Sequence, residues 1–427
     1  MAAGARAPAD FRQIGEAIWH ALKECVHAPI GEEPPARRNW RRRGRALGMA
    51  SPRAVPVACA ASRPAPTRNA GETMNDAGPA PDRRYVQAAQ ELGPLLEAEA
   101  PAIEAARELT EPVLSALREH DFFRLLVPRD LGGGEASPLT LMAVIETIAG
   151  KDASTAWCIG QNAVSAMLSA YLEPEAAREV FGSPSGVIAW GPPSKGEARA
   201  VDGGYALSGT FNFASGSRHA TWLGAHVPVI EPDGRVRTEI NGARITHTVA
   251  FPKREARIID NWHVMGLKGT GSDSYTVDGL FIPARFAVSR GSTTRPRNTG
   301  TLYRFGPSSL YAASFASVAL GIARSTLDAF VTIARDKVPR GSKRILRDNN
   351  FVQHQVGLAE AGLRAAHAFL TDTYQQAWQH ADSGTDLGPE QNVGLRLATT
   401  WAIREATSVV EAIYDAAGGT AVFSANP

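Results

Sequence analysis

The sequence predicts an α+β protein in which an N-terminal helical domain, a central β-barrel or sandwich domain and a C-terminal helical bundle follow one another. The spacing of apolar residues is helical, then every second residue, then helical again, over residues 85–181, 187–287 and 307–417. The composition of the 427 residues, 44% hydrophobic and 21% charged, is that of a globular protein and excludes collagen and wholesale disorder. We place the domain boundaries at residues 74–185, 186–290 and 300–427.

The first domain is marked by apolar residues on one helical face. Leu92, Leu96 and Ile103 recur at helical spacing. Pro128 and the three glycines that follow it interrupt the pattern, and a second helical stretch begins at Pro138.

The central domain has the period of a β-strand. Tyr205, Leu207, Phe211 and Phe213 alternate with small or polar residues. Short strands separated by Gly, Asp and Asn are typical of a sandwich or barrel. Further strands are predicted at Thr221–Ile230, Arg244–Phe251, Ala256–Val264 and Ser274–Ile282.

The last domain is predicted to be a bundle of long helices, at Ser308–Asp336, Asn350–Ala381 and Pro389–Ala416. Because such bundles usually bury each helix against three others, we expect an incomplete gene model that lacks a fourth helix and leaves apolar surface exposed. Two uncharged runs approach the length of a membrane span, but their Ala and Ser content predicts buried helices. These runs are Ala153–Leu172 and Phe305–Ala323.

Residues 1–73 differ from the rest of the chain. They carry 12 Lys and Arg against 6 Asp and Glu, and they contain eight prolines. Three interpretations stay open: a basic arm that touches nucleic acid or an acidic surface, a targeting peptide, or a disordered segment that is not translated because the protein starts at Met74. We favour the third, because a clear amphipathic pattern begins soon after Met74.

Several classes of function have no support in the sequence. The remainder of the chain has a net charge of −4, so nucleic-acid binding is not expected there. Three cysteines without a metal-binding spacing predict neither a disulfide framework nor a metal site. Rossmann, P-loop and HExxH motifs are missing. For His219 and His226 we expect structural or surface roles.

Three stretches are informative because of their order. A helix that starts at Asp152 carries Trp157, a hairpin over residues 203–216 ends in Ser-Gly, and a Gly-rich loop over residues 266–274 follows. In this order the chain resembles the acyl-CoA dehydrogenase superfamily from residue 74 to residue 427. Phe-Ala-Ser-Gly at 213–216 and Gly-Thr-Gly-Ser-Asp at 269–273 are most similar to the flavin-dependent two-component monooxygenases.

The resemblance implies the site residues. Ser215 matches the hydroxyl that hydrogen-bonds the flavin ring, Phe213 matches an aromatic beside that ring, and Trp190 matches an aromatic of the substrate cavity. Ser215 and Trp190 are the implied catalytic residues. The implied cofactor site consists of Trp157, Phe213, Ser215, Gly216, Lys268, Thr270 and Ser272.

The resemblance also implies an activity. A separate reductase would supply reduced FMN or FAD, and the protein would use it with O2 to hydroxylate a small organic, aromatic substrate. A cytoplasmic protein without a membrane partner is expected, and a homotetramer if the C-terminus is complete.

Two alternatives stay open. One is an FAD-dependent acyl-CoA dehydrogenase, although its Glu base would fall at Tyr311 or beyond Pro427. The other is a non-catalytic or truncated member. The chain also differs from the monooxygenase pattern at two places. It has no His at residues 163–166, and it has Pro192 where a Ser is common.

Overall fold

The computed structural model describes residues 80–291 and 293–422. The predicted segment 1–73 lies outside the described residues. The helices are α1 Arg83–Glu91, α2 Gly93–Ala106, α3 Glu111–Glu119, α4 Pro138–Ala149, α5 Ala153–Ser165, α6 Pro174–Phe181, α7 Pro307–Asp336, α8 Asn350–Asp382 and α9 Pro389–Ala417. The strands are β1 Ile188–Trp190, β2 Pro193–Val201, β3 Gly204–Phe211, β4 Trp222–Ile230, β5 Thr246–Pro252, β6 Arg257–Ile259, β7 Ser274–Pro283 and β8 Ala287–Ser289. The predicted order of a helical, a β and a helical domain is confirmed.

Helix α5 positions the side chains that reach the β domain. It begins at Asp152, whose carboxylate accepts a hydrogen bond from the backbone N–H of Thr155 at 2.6 Å. Nearly all of α5 is buried, and it packs closely on α7 because Gly160 has no side chain. A Cβ on Gly160 would lie 2.9 Å from the Cβ of Ser314.

The strands form one eight-stranded sheet in the order β6-β7-β3-β2-β4-β5-β8, with β1 on β4. Only a short parallel contact between β2 and β4 joins its two halves. The halves face each other through aromatic rings, since Phe211 on β3 and Phe251 on β5 both contact Tyr275 on β7, at centroid distances of 5.0 and 6.2 Å. The predicted sandwich is therefore the observed architecture.

The chain crosses from one half of the sandwich to the other directly after Trp190. Here Gly191 lies against the end of β3, where a Cβ would be 1.7 Å from the carbonyl oxygen of Asn212. The N–H of Asn212 donates to the carbonyl of Pro192 at 3.2 Å. Only glycine fits at this crossing.

The predicted strand Ala256–Val264 is wrong in extent, since β6 ends at Ile259. The chain turns there because the Asp273 carboxylate accepts hydrogen bonds from the N–H groups of Asn261 and Trp262, both at 3.2 Å. The predicted alternation is also wrong at Phe213, which follows β3 with φ of 58°.

The three long helices of the bundle lie where the sequence predicts them. Helix α7 packs on α8 and α9 and also on α4 and α5 of the first domain. Of the described helices, α7 is the one long and apolar enough to cross a membrane. Its buried residues, including Leu310, Leu320 and Phe330, pack in the protein core.

Candidate functional site

Two loops meet at the end of β3. The N–H of Ala214 donates to the carbonyl of Asp273 at 3.0 Å, and the N–H of Gly216 donates to the carbonyl of Thr270 at 2.8 Å. Gly216 adopts φ of 76°, and a Cβ there would lie 2.5 Å from Oδ1 of Asn162. This glycine lets the loop 213–218 turn onto the loop 267–273.

A chain of hydroxyl groups runs through the joined loops. Trp157 Nε1 donates to Ser215 Oγ at 3.0 Å, Ser215 Oγ lies 2.7 Å from Ser272 Oγ, and Ser272 Oγ lies 2.7 Å from Thr270 Oγ1. The Thr270 hydroxyl donates to the carbonyl of Leu267 at 2.9 Å.

The hydrogen bond from Thr270 to the carbonyl of Leu267 fixes the donor and the acceptor in each of the other hydroxyl–hydroxyl bonds. Because a carbonyl only accepts, Thr270 spends its proton on Leu267, so Ser272 must donate to Thr270 and Ser215 must donate to Ser272. Ser215 Oγ accepts one bond from Trp157 and keeps one lone pair. It can therefore accept one further hydrogen bond, from a ligand N–H or O–H.

Asn162 on α5 fixes the backbone of this loop. Its Nδ2 donates to the carbonyls of Ser215 at 3.3 Å and Ile188 at 3.0 Å, and its Oδ1 lies 3.0 Å from Nε2 of His219. Burial lowers the pKa of His219 to about 3, so the imidazole is neutral and donates through Nε2. Asn162 thus links the Ser215 loop to β1, the strand of Trp190.

Aromatic rings lie beside the Ser215 loop. Phe213 is 57% exposed and contacts Trp262 edge-on, with ring centroids 6.0 Å apart. Trp157 stacks on Phe315 of α7 at 4.7 Å and 9°. An exposed aromatic wall beside a hydroxyl with a free lone pair fits a flat ring that carries polar N–H groups, such as a flavin.

A charged cluster holds the second loop against the first domain. The Asp273 carboxylate, 1% exposed, lies 2.7 Å from Nε of Arg218. Arg218 and Arg107 both bind Asp260, and the hydrogen bond from Arg107 lowers the pKa of that carboxyl to about 2. These contacts position the backbone that carries Thr270 and Ser272.

Trp190 lies in the wall of a cavity of about 180 Å³. Val164, Met167 and Leu168 supply further apolar surface to the same cavity. A second cavity, of about 450 Å³, shares Arg290 and Pro307 with the first and is lined further by Arg244, Thr246, Ser308, His226 and Tyr311. Neither cavity is lined by an Asp or Glu among the described residues.

The polar groups of these cavities come from three elements. The Tyr311 hydroxyl on α7 lies 2.8 Å from Ser165 Oγ on α5, and burial raises its pKa to about 12. His226 on β4 contacts Trp190 edge-on at 4.7 Å, and its Nδ1 lies 2.8 Å from Oγ1 of Thr248. Burial, together with the charge of Arg290, lowers the pKa of His226 to about 3. Both side chains are therefore uncharged near neutral pH.

The structure brings five of the predicted residues together: Trp157, Ser215, Gly216, Thr270 and Ser272. Trp190 lies in the separate cavity, and Lys268 points to Glu104, to which it pairs at 2.7 Å. For Lys268 this leaves no observed contact with the hydroxyl chain.

Sequence reasoning missed Asn162, His226, Tyr311 and Arg290 as residues of one site. The two adjacent amides Gln161 and Asn162 in an otherwise uncharged helix are a signal for Asn162. His226 lies in a cavity wall and is hydrogen-bonded to Thr248. Buried His219 is hydrogen-bonded to Asn162, in keeping with a structural role.

Two domain families match the helical domains of the chain. The domain family described as "Acyl-CoA dehydrogenase, N-terminal domain" matches residues 87–181. The one described as "Acyl-CoA dehydrogenase, C-terminal domain" matches residues 313–427.

Individual relatives agree with these matches. Indole-3-acetate monooxygenase of Pseudomonas putida is 30% identical over 324 residues, which is 75% of this chain and 80% of the relative. The oxygenase subunit HsaA, a flavin-dependent monooxygenase of Rhodococcus jostii (strain RHA1), is 28% identical over 79% of this chain and 88% of its own. The crystal structure of 3-HSA hydroxylase from Rhodococcus sp. RHA1 superposes with a TM-score of 0.73 at 26% identity, over 81% of this chain and 88% of that one.

Proposed function

The chain belongs to the acyl-CoA dehydrogenase superfamily, among the oxygenase components of flavin-dependent monooxygenases, and on this premise we propose that it hydroxylates a small aromatic substrate in the Trp190 cavity. Reduced flavin from a separate reductase, when bound, supplies the electrons that activate O2 for this reaction. The name of the Rhodococcus jostii relative supports the use of flavin, and the name of the Pseudomonas putida relative supports an aromatic substrate.

The flavin ring would be held by the loop of Ser215. Phe213 and Trp262 offer apolar surface to a flat ring, and Ser215 Oγ offers its remaining lone pair. The chain through Ser272 and Thr270 keeps the Ser215 proton turned away from the ligand. Ser215 therefore acts as a hydrogen-bond acceptor there, and it serves either FMN or FAD because their ring systems are the same.

The substrate would lie against Trp190. Val164, Met167 and Leu168 exclude water from its ring. With Ser165 as the donor in its hydrogen bond to Tyr311, the hydroxyl proton of Tyr311 would be available to a substrate oxygen. Neutral His226 has a ring nitrogen, Nε2, without a partner among the described residues. These two groups would orient a phenol or a heterocyclic N–H.

The lining of the cavities argues against the dehydrogenase alternative. Removal of a proton next to a thioester needs a carboxylate base. Neither cavity is lined by one among the described residues. The resemblance to the superfamily implies Tyr311 at one of the two positions where such a Glu would stand. This observation favours oxygen transfer.

The proposal is tested by mixing the protein anaerobically with chemically reduced FMN or FAD and then admitting O2. We expect a flavin absorbance that persists before oxidised flavin returns, and Ser215→Ala should shorten it. Ser208→Ala, which removes a half-buried hydroxyl on β3 that accepts a hydrogen bond from the N–H of Gly279, is the control and should leave it unchanged. Return of oxidised flavin at the rate seen without protein would contradict the proposal.

Assembly as a homotetramer is a further part of the proposal. Its support is a set of exposed apolar side chains on α8 and α9, including Phe351, Leu358, Val393, Leu397 and Trp401. A second copy of the bundle would cover them. Light scattering should give four copies, and a monomer at micromolar concentration would refute this part. We also propose a cytoplasmic location, where the reductase partner would be found.

A further inference from the structure

The outer end of the substrate cavity is positively charged. Arg290 lines both cavities, and Arg244 lines the larger one. No carboxylate among the described residues lines either of them. The first turn of α7, at Pro307 and Ser308, adds the positive end of a 30-residue helix.

Arg290 has no ion pair among the described residues. Its side chain makes one long hydrogen bond, from Nη1 to Oγ1 of Thr248 at 3.3 Å. Other arginines of the β domain differ in this respect, since Arg218 and Arg237 bind carboxylates at 2.7 and 2.5 Å. A guanidinium has five N–H donors, so most of those of Arg290 are available to a ligand.

The charge of Arg290 acts on the cavity itself. It lowers the pKa of His226, and it opposes the rise that burial causes in the pKa of Tyr171 and Tyr311. These three side chains lie in different parts of the cavity walls. Arg290 lies between the two cavities, since it lines both of them.

We propose that the substrate is an aromatic acid, whose ring lies against Trp190 and whose carboxylate is bound by Arg290 with help from Arg244. The proposal rests on the proposed function, which places the aromatic substrate in this cavity. The volumes agree with such a division. A cavity of about 150 Å³ holds a benzene molecule, and the inner cavity has about 180 Å³. The carboxylate would then reach the outer cavity, where the arginines are.

A matched pair of probes separates charge from shape. Phenylacetate and phenylacetamide have nearly the same size, and only the first is an anion. Each is titrated calorimetrically into the full-length protein, once without flavin and once anaerobically with reduced FMN. We expect the wild type to prefer phenylacetate by about tenfold, as for a hydrogen-bonded charge pair.

Three variants locate the effect. Arg290→Gln should bring the two affinities to within about twofold by weakening phenylacetate alone, and Arg290→Lys should restore part of the preference. Arg257→Gln is the control, because β6 lies at the opposite edge of the sheet from β8. It should change neither affinity.

The outcomes also separate this proposal from the proposed function. Equal binding of both probes to the wild type, no binding of either, or equal weakening of both by Arg290→Gln would overturn the carboxylate site. A persistent flavin absorbance in the same preparation would still support the oxygenase. Conversely, Arg290-dependent binding of phenylacetate without any such absorbance would leave the carboxylate site and remove the oxygenase function.

Discussion

Replacing Ser215, Ser272 or both by alanine tests the direction of the hydroxyl chain. The two Oγ atoms are 2.7 Å apart, and the residues are 7% and 3% exposed. Ser215→Ala leaves the Trp157 N–H without an acceptor and Ser272 Oγ without a donor. Ser272→Ala leaves the Ser215 O–H without an acceptor and Thr270 Oγ1 without a donor.

In the double variant the unpaired groups are the Trp157 N–H and Thr270 Oγ1. These are two groups, the same number as in either single variant. Stranding a buried partner costs about 1–3 kcal/mol. Each single variant should therefore lower the free energy of unfolding by about 2 kcal/mol. The double variant should lower it by nearly the same amount, so the coupling between the two sites is also about 2 kcal/mol.

The assay is equilibrium unfolding in denaturant, followed by tryptophan fluorescence. The control cycle pairs Ser215→Ala with Ser208→Ala, whose effects should add to within about 0.5 kcal/mol. If the Ser215 and Ser272 variants were additive to the same precision, the two hydroxyls would not be hydrogen-bonded as described. The remaining lone pair assigned to Ser215 would then have no basis.

Three further perturbations address the supports of the site. Gly216→Ala combines a positive φ with a clash against Oδ1 of Asn162 and should destabilise the protein by about 2 kcal/mol or more in thermal unfolding. Gly234→Ala is the control and should cost less, because Gly234 has φ of 85° but open space around it. Equal losses would contradict the close approach of Gly216 to Asn162. Because the pKa of His219 is lowered to about 3 in the folded state, its contribution is complete above about pH 6.5 and declines as pH falls towards 3. The free energy of unfolding in denaturant, measured between pH 4 and 6, should therefore vary less steeply with pH in His219→Gln, by up to about 1.4 kcal/mol per pH unit. An unchanged slope would show that His219 binds protons equally in the folded and the unfolded state. Asp273→Asn breaks a buried ion pair and should lower the free energy of unfolding by about 3 kcal/mol. Asp233→Asn, at an exposed ion pair, should lower it by much less, and equal losses in denaturant unfolding would refute the role of Asp273.

The sequence predicts the fold more fully than the site, for a physical reason. Helix and strand spacings are local, so α7, α8, α9 and β4 lie where the pattern places them. The end of β6 is set by Asp273, which is distant in sequence, and no local pattern at Ala256–Val264 contains that information. Arg290 acquires meaning only when β8 pairs with β5 and brings it beside Thr248. Asn162 is intermediate, because the amide pair Gln161-Asn162 in an uncharged run is visible in the sequence while the partners of Asn162 are not.

The crossing at Gly191 has a consequence for altering substrate range. Trp190 ends one half of the sandwich, and the next residue packs on Asn212, which leads directly into Phe213 and the Ser215 loop. The backbone next to Trp190, which would line the substrate site, is thus in direct contact with the backbone that leads into the flavin loop of Ser215. A substitution that tilts Trp190 by moving its main chain also moves the loop of Ser215. Enlarging the pocket in that way would therefore also displace the proposed flavin site and impair the reaction with O2. Changes at Val164, Met167 or Leu168, which line the same cavity from a helical segment, reshape it without moving the contact between Gly191 and Asn212.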